Sequence, residues 1–307
     1  MALTNRTKKW LNKNHAPDLS GKTVIITGAN SGVGYKSAEI ALYLGAKVIM
    51  ACRNADKAEA AKAKLRAEYP GAGITVMTLD LADFDSVDAF AAQLQQEKTD
   101  IDVFLNNAGV FRKPGKTTAQ GFELVMGTNY LGVYRLSEKV LPYLKTLPHK
   151  VLYINTVSLI HKAAKTDYGD FFCQRHYGSF KIYARSKLYL ARYTYCIAKK
   201  YENSNVRILM SHPGIAITPL GINAFGKTVG HAAKAVSVLF NSPEKSALAL
   251  PFIIANGLPA GSIAGPKKLF GGWGYPKVNR VLKRVKTGGE QLAAKTLEIT
   301  EKPSHET

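Results

Sequence analysis

Cysteine is scarce in this 307-residue chain. Cys52, Cys173 and Cys196 are its only three, an odd number with no C-x-x-C pair. That argues against a disulfide framework and against a zinc site, and it fits a reducing compartment. No uncharged apolar run approaches the roughly 20 residues that span a bilayer. Residues 1–20 are polar and lack the apolar centre of a secretory leader, so a cytoplasmic location is the expectation. Acid is in deficit too: 22 Asp and Glu face 42 Lys and Arg, a formal charge of +20. Such a surplus concentrates anions, whether dinucleotides, anionic lipid or nucleic acid, without choosing among them. Because no nucleic-acid-binding module is recognisable, nucleic acid is not an expected partner. Repeats and low-complexity tracts are absent, and 46% hydrophobic with 21% charged residues is the make-up of an ordinary globular protein.

What is present is a regular alternation. Lys22–Thr27, Ala46–Ala51, Ile74–Leu79, Ile101–Leu105, Val151–Thr156 and Val206–Met210 are short apolar, β-branched runs. Helical patterns over Gly32–Leu44, Asp56–Glu68, Phe84–Glu97, Gln120–Lys145 and Ser179–Tyr201 separate them. Near-continuous apolar strands between helices predict a parallel sheet covered on both faces, with a ligand crevice at the carboxyl ends of the strands. The expected fold is α/β: one doubly wound, Rossmann-type domain over residues 21–265, its sheet mostly parallel and seven-stranded. Residues 1–20 are expected as an N-terminal extension and 266–307 as a basic C-terminal tail. The alternation breaks from Pro219 to about Asn256, where an insert covering the substrate is expected.

The first strand runs into Thr27-Gly28-Ala29-Asn30-Ser31-Gly32-Val33-Gly34. Glycines allow backbone angles that a side chain forbids and let the main chain approach a phosphate. The N-terminus of the following helix offers free N–H groups and partial positive charge to a pyrophosphate. The G-x-x-x-G-x-G spacing resembles the cofactor motif of the short-chain dehydrogenase/reductase family, which implies cofactor contacts from Gly28, Asn30, Ser31, Gly32, Val33 and Gly34. An acid closing the second strand would bond the ribose hydroxyl of NAD and repel a 2′-phosphate. This chain has Cys52-Arg53 there, and a guanidinium pairs well with phosphate. NADP(H) is therefore favoured over NAD(H), the alternative for Arg53 being a solvated surface side chain. Asp80-Leu81 resembles the family's adenine-contacting pair. Asn106-Asn107-Ala108-Gly109 matches its N-N-A-G segment, so Asn107, Ala108 and Gly109 are expected along the adenosine.

Tyr183-Ala184-Arg185-Ser186-Lys187 sets a phenol and an ammonium four residues apart, on one face of a helix. A phenol with an ordinary pKa of about 10 exchanges protons poorly at neutral pH, and a nearby ammonium is expected to lower it. In the family resembled, this tyrosine is the proton donor and the lysine also holds the nicotinamide ribose. Ser158, in Ser158-Leu159-Ile160-His161, matches the family serine that bonds the substrate oxygen, with Thr156 the alternative. Asn129 resembles the helix asparagine whose backbone holds a relay water. Pro213, Gly214 and Thr218 resemble the segment closing on nicotinamide; His212 is expected to serve structure. The 25 positions from Ser158 to Tyr183 and the Cys-Arg pair resemble the retinol dehydrogenase and protochlorophyllide reductase branch. The added segment Lys162–Phe180, with Tyr168, Phe171, Phe172, His176, Tyr177 and Phe180, either walls the substrate pocket or simply packs.

The resemblance implies an NADP(H)-dependent oxidoreductase acting on the carbonyl or alcohol of an apolar small molecule, without a metal. The alternatives are an NADPH-dependent double-bond reductase and a non-catalytic NADP(H)-binding sensor. Homodimers or homotetramers are common in the family. In the tail, Lys267, Lys268, Lys277, Arg280, Lys283, Arg284 and Lys286 flank a candidate apolar stripe of Val278, Val281, Leu282 and Val285. Together with Arg6, Lys8, Trp10, Leu11 and Lys13 near the N-terminus, these either form a solvated basic face or make weak peripheral contact with an anionic membrane.

Overall fold

A computed structural model describes residues 2–173, 178–214, 241–268 and 271–301. After helix α1 (Asn5–Lys13), the chain alternates as expected through β1 (Thr23–Thr27), α2 (Gly32–Tyr43), β2 (Lys47–Cys52), α3 (Ala55–Glu68), β3 (Ile74–Thr78), α4 (Phe84–Gln96) and β4 (Val103–Asn106). A short α5 (Leu124–Met126) runs through a π turn, Gly127–Leu131, into α6 (Gly132–Thr146). Then come β5 (Val151–Thr156), a 3-10 turn at Leu159–Ala163, α7 (Ser179–Lys200) and β6 (Val206–Ser211). The chain closes with α8 (Pro243–Ala247), α9 (Ala249–Asn256), β7 (Ile263–Lys268), β8 (Trp273–Asn279), α10 (Lys283–Lys286) and α11 (Gly289–Glu301).

The strands form one sheet in the order β3-β2-β1-β4-β5-β6-β7-β8, parallel from β3 to β7. The order reverses between β1 and β4, which opens the crevice where a doubly wound sheet takes its ligand. Seven strands were expected and eight are present among the described residues. The eighth, β8, pairs antiparallel with β7; its Gly, Pro and Lys residues disguise it as tail in a sequence pattern. Apolar side chains fill both faces. Phe90, Phe104, Tyr153, Leu188 and Tyr189 pack on the α4–α6–α7 side. Ile26, Val48, Met50, Leu65 and Ile253 pack on the α2–α3–α9 side.

The ends of the chain are packed on this body. Leu3 and Leu11 sit with Ile40 and Leu248, and Thr4 gives Glu244 two hydrogen bonds, 3.0 Å from its N–H and 2.7 Å from its hydroxyl. The stripe imagined for the tail does not face outward as one surface. Val285 is 2% exposed, Val281 and Leu282 pack on the core, and Val278 lies on β8. Of the segment expected to cover the substrate, residues 219–240 lie outside the described residues. Residues 241–256 include α8 and α9; Leu248 between them and Leu250 and Ile253 on α9 are buried.

Candidate active site

The glycine turn is built for close approach. Gly28 has φ +68° and Gly32 φ +57°, both in the left-handed region. A methyl group on Gly34 would stand 2.4 Å from the Gly28 carbonyl and 2.5 Å from the Asn107 amide nitrogen. Ser31 caps α2 without a side-chain hydrogen bond, and the first turn carries no acid, so the helix N-terminus faces outward with its positive end uncompensated. Thr27, which the sequence reading passed over, fastens this turn to the β4 loop. Its hydroxyl accepts from the N–H groups of Asn107 at 3.0 Å and Ala108 at 2.9 Å, and its carbonyl accepts from the Asn107 amide at 3.0 Å. Asn30 and Val33 are half-buried around the turn.

At the end of β2 the Cys52 thiol is buried and accepts from the backbone of Asn30 and Ala29, and burial pushes its pKa up. It stays a neutral floor under the glycine turn where an acid would repel phosphate. Arg53 extends outward with its side chain 63% exposed, its nearest carboxylate oxygen being that of Asp80 at 3.9 Å. Asp80 accepts from the Ala82 N–H at 2.9 Å and donates its own N–H to Ser86 at 2.9 Å. Leu81 is buried beside it, with a methyl on Gly132 overlapping the Leu81 carbonyl. Asp80-Leu81 is thereby fixed, with the exposed Arg53 beside it.

Lys187 is 3% exposed and its ammonium donates to the Thr156 carbonyl at 2.9 Å. Burial lowers its pKa to about 8. Tyr183, one helical turn earlier, hydrogen-bonds the Ser158 hydroxyl and packs against the edge of Phe111, ring centroids 5.3 Å apart. Burial pushes the phenol up to about 12, with the Ser158 hydrogen bond pulling the other way. This differs from the expectation of a phenol lowered by the ammonium: in the folded protein, desolvation outweighs any such pull and keeps the phenol protonated. Ser158 opens the 3-10 turn, and its carbonyl is held by the buried His161 ring.

Asn129 is fully buried in the π turn. Its side-chain amide accepts from the Val110 N–H at 2.7 Å, and donates to the Val110 carbonyl at 2.9 Å and to Ser186 at 3.2 Å. Ser186 donates in turn to the Tyr183 carbonyl at 2.8 Å. A methyl on Gly109 would meet Asn129 Oδ1 at 3.1 Å and Lys187 Nζ at 3.4 Å, so the loop after β4, the π turn and α7 share one spot. A π turn shifts hydrogen bonding to i+5 and releases a carbonyl. A single asparagine could not reveal this; the side-chain role, joining the β4 loop to α7, is a tertiary fact.

Pro213 and Gly214 follow β6. The Pro213 carbonyl accepts from the Ser246 hydroxyl at 2.8 Å and the Asn241 amide at 3.3 Å. Gly214 has φ +76°, and a methyl there would strike the Gly272 carbonyl at 2.5 Å. His212 is 1% exposed, accepts from the Gly214 N–H at 3.3 Å, and is held by burial far below the usual histidine range, at about 3. It is a neutral structural ring. A cleft bordered by Val33, Asn107, Thr156, His212, Pro213 and Ser246 joins the glycine turn to these strand ends. Thr218 lies outside the described residues, as do His176 and Tyr177. Of the aromatic segment, Phe171 packs between Tyr130 and Tyr189, Phe172 stacks on Phe122 at 5.4 Å, and Phe180 is 56% exposed.

These features fit a dinucleotide: a cradle that tolerates no Cβ at Gly34, an outward helix N-terminus, an exposed guanidinium, and an ammonium turned toward the strand ends. Comparison with known proteins agrees. The model of the short chain dehydrogenase family matches residues 22–227. Retinol dehydrogenase 14 of Mus musculus is 40% identical over 214 residues, 66% of this chain and 64% of that protein, so the matched region falls short of two thirds of the relative's length. Retinol dehydrogenase 14 of Homo sapiens is 36% identical over 256 residues, 74% of this chain and 76% of that protein. Among solved structures, an uncharacterized protein from Mycobacterium paratuberculosis superposes with a TM-score of 0.75 at 29% identity, covering 93% of this chain and 96% of that one.

Proposed function

Since the chain belongs to the short chain dehydrogenase family, we propose that it is a nicotinamide-dependent oxidoreductase. In this reading it prefers NADP(H) and interconverts the carbonyl and alcohol of an apolar small molecule. The observation that carries the reading is the convergence of Ser158, Tyr183 and Lys187 beside the glycine turn, at the carboxyl ends of the strands. Gly28–Gly34 and the α2 N-terminus would hold the pyrophosphate, Arg53 the 2′-phosphate, and Tyr183 with Lys187 the nicotinamide ribose. The dinucleotide supplies or accepts the hydride.

The chain's own part is proton chemistry and positioning. A substrate oxygen between the Ser158 hydroxyl and the Tyr183 phenol receives a hydrogen bond from each, which stabilises the charge developing there. Tyr183, protonated at neutral pH, donates its proton to that oxygen during reduction. Lys187 then offsets the charge of the phenolate and passes it a proton, taking a replacement from solvent by way of the region around Asn129 and Gly109. The absence of an acid after β2, together with the outward Arg53, supports NADP(H). Phe111 against the phenol ring supports an apolar substrate, as do relatives named for retinol. With both Tyr183 and Lys187 present, the non-catalytic sensor is the weaker reading.

The test is Tyr183→Phe. Turnover of an apolar aldehyde with NADPH should fall by about 10²–10⁴-fold, the usual contribution of general acid catalysis, while NADPH still binds. Undiminished turnover would remove Tyr183 from the mechanism, and tighter binding of NADH than NADPH by the natural protein would remove the assignment of Arg53.

A further inference from the structure

Trp10 and Trp273, the only two tryptophans of the chain, meet on one face far apart in sequence. Trp10, on α1, is linked through Tyr275 to the strand β8. The Trp10 and Tyr275 rings stack with centroids 5.7 Å apart and planes 5° apart. Trp273 and Tyr275 stand two positions apart on β8, and so on the same side of the sheet edge. Lys245, from α8, lies over both, its ammonium 4.1 Å from the Trp273 centroid and 4.9 Å from that of Tyr275. Lys268, from β7, covers Trp273 from 5.1 Å. All three rings are half-buried, while Arg6, Lys9, Lys267, Lys268 and Lys277 are exposed around them.

Among the described residues, the cations here have no carboxylate partner. Lys245 is held below the usual lysine range, first by burial and then by the neighbouring charges of Arg6 and Lys268. The nearest acids are engaged elsewhere: Glu244 accepts from Thr4, and Glu39 is buried against Lys36. Among the described residues, no carboxylate pairs with Arg6, Lys245 or Lys268. Leu3 and Leu11 anchor α1 to the body, so the arrangement belongs to the fold and is not a loose end.

Amphipathic rings among uncompensated lysine and arginine are what a lipid–water boundary selects. The rings settle at headgroup depth and long cationic stems extend to the phosphates. A soluble phosphate would need the cations but not three aromatic rings. We propose that the face made by α1, α8 and the β7–β8 hairpin docks on an anionic membrane surface. Trp10, Trp273 and Tyr275 enter the headgroup layer, and Arg6, Lys245 and Lys268 reach the lipid phosphates. This does not depend on the reaction proposed above. Of the residues expected at a membrane it keeps Arg6, Trp10 and Lys268, and it replaces the valine stripe of the C-terminal segment with a face centred on aromatic rings.

Because both tryptophans lie on this face, the full-length protein reports its own docking. Its tryptophan emission should shift to shorter wavelength with vesicles of phosphatidylcholine and phosphatidylserine, and brominated lipid should quench it. Phosphatidylcholine alone, or high salt, should abolish the shift. In co-sedimentation, the triple variant Arg6→Gln, Lys245→Gln, Lys268→Gln should bind the anionic vesicles about a hundredfold more weakly, each cation near such a surface being worth about fivefold. A control with Lys283→Gln and Lys286→Gln should bind like the natural protein. No binding to the anionic vesicles would overturn the proposal. So would binding with unchanged tryptophan emission, which would place the contact on another face, or loss of binding in the control variant alone.

Discussion

Replacing Lys187 with methionine should stabilise the folded protein while destroying its activity. The ammonium is 3% exposed, and its hydrogen bond to the Thr156 carbonyl at 2.9 Å brings no opposite charge. Its pKa is lowered by burial from the ordinary 10.5 to about 8. At about 1.4 kcal/mol per pH unit, holding that charge costs the folded state on the order of 3 kcal/mol at pH 7. Methionine fills similar space with no charge but gives up the bond to Thr156, a loss of about 1.5–3 kcal/mol for a charged donor. The net gain is about 1 kcal/mol, or a rise of a few degrees in Tm for a domain of this size. The pH dependence separates this account from generic repacking. The folded-state pKa is the lower one, so between about pH 8 and 10.5 the unfolded chain binds a proton that the folded chain has shed. The natural protein therefore gains stability with rising pH across that window, and the cost is fully present below it. Urea or thermal unfolding of both proteins, without cofactor and across that range, should show the advantage of Lys187→Met at pH 7 and its loss and reversal by about pH 10. An advantage that does not change with pH, or a variant that unfolds more easily at every pH, would refute the reasoning. The confirmed result would mean that the fold carries a destabilising charge because the chemistry uses it.

Two further changes probe the cofactor cradle. Gly34→Ala would set a methyl 2.4 Å from the Gly28 carbonyl, so it should cost about 1–3 kcal/mol of stability and weaken NADPH binding more than tenfold, as read by thermal unfolding and fluorescence titration. Arg53→Ala removes an exposed side chain whose nearest carboxylate is 3.9 Å away. Stability should hardly change, while KM for NADPH rises about tenfold or more, the worth of a charge-assisted phosphate contact, and KM for NADH stays where it is.

Much of the candidate site was legible because it rests on residue type at fixed spacing. The glycine turn, the Tyr183/Lys187 pair and Ser158 sit on short segments whose geometry local sequence dictates, and the first six strands announce themselves as apolar runs. Other parts were not legible. Thr27, Val110 and Ser186 act through partners remote in sequence, and nothing in their own neighbourhood marks them. β8 is an edge strand facing solvent, and its Pro276 and Lys277 hide the alternation that a half-buried strand would show. The valine stripe failed as a helix face because a helical spacing was assumed for residues that the fold divides among a strand, a loop and a short helix.

The sequence by itself determined the elements that local patterns encode: a parallel α/β order, a glycine turn before α2 with no acid after β2, and a phenol and ammonium one helical turn apart. Only the tertiary structure decided the electrostatic state of that pair. Protonation follows from how much water and which dipoles surround a group, and that depends on every element packed around it. The same holds for the aromatic–lysine face, which exists because α1, α8 and β8 meet in space, although more than 200 residues separate Trp10 from Lys245 and Trp273.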